Sequence, residues 1–319
     1  MNKYLSVLLR VMISLVFMGI LVWMFWGDRS KIWDILKDVN PCDFFTAVLM
    51  NILALVIVSY RLKIILAVQG LKLTIVESSY LTFIGMFFNN FLPTSIGGDL
   101  VKAYYATKKS EKKLESFSAV FFDRFFGFLS IGLLAFFGLL FMNGKIGDPK
   151  LMWGCATFAG AVFLIFMLFL NKNLAKGLFS GVLDMSIFRK GSKLRKLYNA
   201  LNTYKEHPVV VVKVVGISLM AQVVSVVSLY FIIKSLSQEI SFLNLFLIMP
   251  LVSVASMIPS INGLGVREGA FVMFLSEFIS KGSSAAVSIL FLATVLLTSL
   301  MGGIVYLFSD KLYKIPKVG

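Results

Sequence analysis

Pro93-Thr94-Ser95-Ile96-Gly97-Gly98-Asp99-Leu100-Val101-Lys102 and Pro259-Ser260-Ile261-Asn262-Gly263-Leu264-Gly265-Val266-Arg267-Glu268 are two similar breaks in one apolar chain. Each follows a hydrophobic stretch too short to cross a bilayer. Each runs proline, serine, isoleucine, glycine and then charge. Short, glycine- and proline-interrupted segments in corresponding places of two halves mark an inverted-repeat transporter, with its site at the breaks.

The surrounding sequence fixes the class. Of 319 residues, 58% are hydrophobic and 15% charged, where soluble domains run near a quarter charged. The mean hydropathy is +0.88. This composition predicts a polytopic, all-α membrane protein. The net charge of +15 does not point to nucleic acid, because the lysines and arginines cluster in short loops between apolar runs. Two cysteines, Cys42 and Cys155, and one histidine, His207, form no metal-ligand spacing. No Ser/His/Asp set, Walker loop or dinucleotide fingerprint is found. Neither a cofactor nor a metal is expected.

Six runs have the roughly 20 apolar residues that a span needs: Leu5–Trp26, Phe44–Leu66, Ser118–Met142, Leu151–Leu170, Val209–Ile233 and Ala285–Phe308. The first ends in Trp23, Phe25 and Trp26 and shows no small-residue cleavage site, so it reads as a retained helix. Basic segments at Lys102–Lys113 and Lys172–Lys205, and a tail with Lys311, Lys314 and Lys317, are assigned to the cytoplasm. The loop Gly27–Asp43 carries Asp28, Asp34, Asp38 and Asp43 and fits the outer side. Both termini are then cytoplasmic.

Ser78–Leu92 lies between basic stretches Arg61–Lys72 and Lys102–Lys113, so it enters and returns on one side. Phe242–Ile258, with Gly269–Ile279, has the opposite placement. The expected fold is six full transmembrane helices plus two re-entrant segments, about eight hydrophobic segments in all. It is a single integral-membrane domain over 1–319, with inverted repeat halves at about 44–142 and 209–308. Eight ordinary crossings are the alternative. Leu194, Leu197, Leu201 and Tyr204 share a helical spacing beside Lys193, Arg195 and Lys196. They predict that 171–208 is a cytoplasmic linker holding an amphipathic helix on the inner leaflet, or a solvated helix.

Charges in the apolar zone cost about 2.5–3.5 kcal/mol each on insertion scales and need a reason. Asp99, Lys102, Asp123, Arg124, Arg267 and Glu268 are the six candidates for substrate binding. Asp99 and Lys102, three apart, share a helix face. Asp123 and Arg124 lie within two turns of the predicted start of their span. Pro93, Gly97, Gly98, Pro259, Gly263 and Gly265 form the re-entrant breaks, where glycines permit unusual backbone angles and close approach. A helix starting after each break would aim its N–H groups at an anion, with Lys102 and Arg267 alongside. A lipid phosphate is the natural anion in a membrane. Plain capping by Asp99, and pairing of Arg267 with Glu268 or Asp123, are the structural alternatives.

Phe88-Asn89-Asn90-Phe91-Leu92-Pro93 leading into Gly97-Gly98-Asp99, then Asp123-Arg124, then Gly263-Leu264-Gly265-Val266-Arg267-Glu268, resembles the lysylphosphatidylglycerol synthase transmembrane-region family. This is also called the flippase-like domain or UPF0104 group. The resemblance covers nearly the whole chain. Full-length members couple such a region to a C-terminal domain that transfers lysine from transfer RNA to phosphatidylglycerol. The membrane region then moves the product outward, which associates the family with antibiotic resistance. Here the chain ends at Gly319, soon after its last span, so the transfer domain is expected to be absent. Lys102 stands where many relatives carry arginine, which keeps the charge but loses bidentate geometry. Short members are linked to other lipids, including hopanoids and polyprenyl-linked sugars.

The resemblance implies a lipid translocase of the cytoplasmic membrane, without ATP chemistry of its own and not an enzyme. Its partners would be anionic or phosphate-bearing membrane lipids. The alternative is phosphatidylglycerol lysyltransferase or lipid glycosyl transferase activity, alone or with a separately encoded transferase. A non-transporting scaffold is the third reading. The topology is testable. Single cysteines near Lys109 and Lys193 should label only from the cytoplasm, and one near Lys145 only from outside. Labelling of the Lys109 and Lys145 positions from one side would refute it.

Overall fold

The computed structural model describes residues 29–91, 97–110, 113–141, 149–170, 203–204, 206–258, 260 and 263–307, together with Met12 and Gly19. The predicted span Leu5–Trp26 (apart from Met12 and Gly19), nearly all of the linker 171–208, the tail, and Pro93 and Pro259 lie outside the described residues. Ten helices order the rest: α1 (Arg29–Lys37), α2 (Pro41–Val68), α3 (Ile75–Phe91), α4 (Gly97–Ser110), α5 (Lys113–Phe141), α6 (Pro149–Leu170), α7 (Pro208–Ser235), α8 (Phe242–Ala255), α9 (Val266–Leu275) and α10 (Lys281–Leu307). No strand occurs among the described residues.

Local sequence explains the starts. Asn40 caps α2, its Oδ1 accepting from the N–H groups of Cys42 and Asp43. Pro41 and Pro208 open α2 and α7 at positions that need no N–H. At the start of α3, Glu77 accepts from the Thr74 N–H at 2.7 Å and the Glu77 N–H donates to Thr74 Oγ1 at 3.2 Å, a reciprocal cap. The acid-balanced loop before α2 contains a helix, α1, that the hydropathy reading passed over.

Helices α2, α5, α7 and α10 are long and apolar enough to cross a membrane. At 28 residues, α2 and α7 are about 42 Å long, against a hydrocarbon core of about 30 Å. Helix α6, with 22 residues, coincides with a predicted run. Helix α8, with 14 residues, reaches only about 21 Å, and α3, with 17, about 26 Å. These are the segments expected to fall short.

Among the described residues, the most extensive helix contact is the pair α2 and α7. They run antiparallel. Asp43 meets Lys234, Ser228 donates to the Ala47 carbonyl, and Arg61 donates to Ser218. Around this pair, α3 packs on α10 and α8 packs on α5. Exchanging α2–α5 with α7–α10 in order maps every packed pair among these eight helices onto another such pair.

Both crossed contacts rest on glycine. A Cβ at Gly302 of α10 would stand 2.2 Å from the Phe83 carbonyl oxygen of α3. A Cβ at Gly138 of α5 would stand 2.8 Å from Leu247 and 3.1 Å from the Phe246 carbonyl oxygen of α8. Lipid supplies no hydrophobic force between helices, so association depends on such close van der Waals contact. Gly302→Val should therefore destabilise the fold by about 1–3 kcal/mol. Gly160→Ala, which meets nothing within 4 Å, should be neutral. Thermal unfolding in detergent measures both; equal melting temperatures would remove the glycine argument.

Candidate functional site

Two elements bring four of the six candidate charges together. Asp99 and Lys102 come from α4, Asp123 and Arg124 from α5. The sequence reading missed the fifth member, Arg61 of α2. Its Nε donates to Asp123 Oδ1 at 2.8 Å, and its Nη1 donates to Ser218 Oγ of α7 at 3.2 Å. Lys102 Nζ stands 3.6 Å from Asp99 and 3.9 Å from Asp123. Arg124 closes the chain on Asp99 at 2.5 Å, its guanidinium lying over the Phe128 ring. The order is Arg61, Asp123, Lys102, Asp99, Arg124, with charges alternating. Arg61, Lys102 and Asp123 are buried, and Arg124 is the most open member.

Two expectations change here. The helix holding Asp123 begins at Lys113 rather than Ser118, so Asp123 lies about three turns inside, roughly 15 Å along the axis. A carboxylate at that depth needs a cation brought to it, and Arg61 provides one. Lys102, counted with the basic loop, is instead buried in α4; its stem covers Gly85 of α3, where a Cβ would stand 2.3 Å from the lysine Cε. The signal for Arg61 was present, since it falls inside the run Phe44–Leu66. The basic flank Arg61–Lys72, to which it also belongs, hides it.

The second break is built differently. Gly263 and Gly265 have φ of +76° and +82°, values that L side chains rarely adopt. Both oxygens of Glu268 are engaged: one accepts from the Gly265 N–H at 2.6 Å, the other from Arg267 Nε and Nη2 at 3.0 and 2.6 Å. Arg267 also lies over the Phe291 ring, 5.5 Å from its centroid. Thus Glu268 caps α9 and holds Arg267. At the first break Gly97 and Gly98 are buried at the start of α4, and Gly98 serves close approach. A Cβ there would meet the Gly85 carbonyl oxygen, and its N–H donates to Asn89 Oδ1 at 2.8 Å. At each helix start a side chain thus takes one N–H, that of Gly98 by Asn89 and that of Gly265 by Glu268, and Lys102 and Arg267 are the cations that an anion would meet beside them.

A cavity of about 400 Å³ lies between the breaks. Its polar lining is Lys102, Arg267, Asn89, Thr82, Ser253 and Ser256, set among apolar side chains from α2, α3, α8, α9 and α10. Among the described residues, Lys102 and Arg267 are its only ionisable lining groups. Its size suits a small ligand or headgroup. No group of histidine, cysteine and carboxylates able to hold a metal occurs among the described residues. Nearby, Tyr204 is buried against Phe122 and donates to the Ile65 carbonyl at 3.0 Å. Burial pushes its phenol pKa up, which keeps it a donor.

The family model for the lysylphosphatidylglycerol synthase TM region matches residues 7–303. A UPF0104 membrane protein of Methanocaldococcus jannaschii is 27% identical over 329 aligned positions, covering 94% of this chain and 95% of the relative. One from Pyrococcus horikoshii is 25% identical, covering 98% of each. One from Methanothermobacter thermautotrophicus is 24% identical, covering 82% and 83%.

The ion chain predicts a specific mutational pattern. Asp123→Asn strands Arg61 and should cost about 3–5 kcal/mol. The double change Arg61→Met with Asp123→Leu removes both charges and should recover most of it. Unfolding of the two variants and the parent measures this; a double variant no more stable than Asp123→Asn would show that the pair is not coupled.

Proposed function

This chain belongs to the lysylphosphatidylglycerol synthase transmembrane-region family, and from that premise we propose that it is a lipid translocase of the cytoplasmic membrane. The observation that carries the reading is the shared cavity. Lys102 from one break and Arg267 from the other line the same space, although 165 residues separate them. A polar headgroup would enter there, meet Lys102 beside Asp99, Asp123 and Arg124, and pass to Arg267, held by Glu268.

We take the halves at about 44–142 and 209–308 to be inverted repeats. The antiparallel α2–α7 pair and the exchange of packed pairs support this. The short helices α3 and α8 then enter from opposite sides, between six full spans, with both termini in the cytoplasm. Alternating movement of the halves about α2 and α7 would open the cavity to each leaflet. The lining favours transport over aminoacyl transfer. Among the described residues it holds no carboxylate, histidine or cysteine, the usual groups for proton transfer or covalent catalysis.

In liposomes of the full chain, Arg267→Gln should slow headgroup translocation by about tenfold or more, the loss of a charged hydrogen-bonding partner, while the protein stays monodisperse. Incubation with phosphatidylglycerol and lysyl-transfer RNA should yield no lysyl-lipid. Unchanged transport per folded molecule would make Arg267 structural; turnover to lysyl-lipid would replace the translocase with a transferase.

A further inference from the structure

The charges around the cavity do not cancel. Arg61, Lys102 and Arg124 face two carboxylates, Asp99 and Asp123. Arg267 faces one, Glu268. Among the described residues, four cations against three carboxylates leave one positive charge over. The residues of the breaks that are not described, 92–96, 259, 261 and 262, carry no ionisable side chain that could answer it.

The surplus can be located. Asp123 is held by Arg61 at 2.8 Å, Asp99 by Arg124 at 2.5 Å, and Glu268 by Arg267 at 2.6 Å. Each carboxylate thus has its own close guanidinium. Lys102 is left with the two longer contacts, 3.6 and 3.9 Å, beyond hydrogen-bond range. It makes no hydrogen bond among the described residues, is 8% exposed, and lines the cavity. A buried ammonium has three donors to satisfy and is costly to leave bare. Among the described residues, the cavity offers it the neutral polar groups of Thr82, Asn89, Ser253 and Ser256, with Arg267 as a second cation.

We propose that the cavity selects lipids whose headgroup carries one net negative charge, a phosphodiester bound by Lys102, and rejects headgroups that add an ammonium. This rests on the translocase reading of the same cavity. A phosphodiester supplies the single anion that balances the surplus and the acceptor oxygens that Lys102 lacks. A lysyl ester on that headgroup would bring ammonium groups into a space lined, among the described residues, by two cations and no carboxylate. The transported lipid is then unlike the aminoacylated product suggested by the name of the family.

Retention of lipid by the full chain tests this apart from transport. Native mass spectrometry would compare phosphatidylglycerol, phosphatidylcholine and lysyl-phosphatidylglycerol at equal concentration. The readout is the retained fraction lost on Lys102→Gln, because surface lysines attract anionic lipid in every variant. Phosphatidylglycerol should show this fraction and the other two about tenfold less of it. Lys102→Arg should keep it, which separates loss of charge from loss of fold. Equal or stronger Lys102-dependent retention of lysyl-phosphatidylglycerol or phosphatidylcholine would overturn the proposal. So would no Lys102-dependent retention in protein that remains monodisperse. Displacement by glycerophosphoglycerol, a soluble phosphodiester, at the same concentration would assign the site to a soluble anion and overturn the lipid assignment. Selective retention with no translocation in phosphatidylglycerol vesicles would sink the translocase and leave the charge selection standing.

Discussion

A charge that cannot reach water must be answered where it stands. The alternating chain from Arg61 to Arg124 answers four charges in turn, and it ties α2, α4 and α5 together, with Ser218 adding α7. Desolvating each ion costs several kcal/mol before any pairing offsets it. Apolar side chains would hold these helices as well or better, so the ions are not there for stability alone. They fix where α4 sits, and α4 carries Lys102 into the cavity.

The second constraint is steric. Gly85 and Gly98 let the hairpin of α3 and α4 close, with the Gly85 carbonyl occupying the space where a Gly98 Cβ would be. Gly302 and Gly138 do the same work between the halves. These contacts place the short helices against long ones.

Much of this was legible in the sequence, because hydropathy is a one-dimensional signal. The boundaries of α2, α5, α6, α7 and α10 follow the apolar runs to within a few residues. The short segments announced α3 and α8, and the motif charges Asp99, Lys102, Asp123 and Arg124 did converge. Pairing was less legible. Arg61 and Asp123 lie 62 residues apart, and nothing local says that one will meet the other. Capping was misjudged for a related reason. A glycine before a helix suggests free N–H groups, but Asn89 reaches the Gly98 N–H from across the break, which spacing does not describe, and Glu268 reaches the Gly265 N–H from three residues on, a capping-box spacing that the sequence does display. The amphipathic α1 was lost because an acid-balanced loop and a short surface helix have the same composition.

The crossed packing of α3 on α10 and α8 on α5 also bears on how the protein is made. Domains generally fold in order as the chain emerges during synthesis. Here the partner of α3 is the last described helix, and the glycines that receive it, Gly302 and Gly303, come more than 200 residues later. The first half therefore inserts with one face of α3 waiting and its α5 groove empty. The contact of α3 with α10 can form only once α10 has been made. Until then the unfilled surfaces must be shielded by lipid or by the insertion machinery, and a chain that stalls after α9 leaves both halves incomplete.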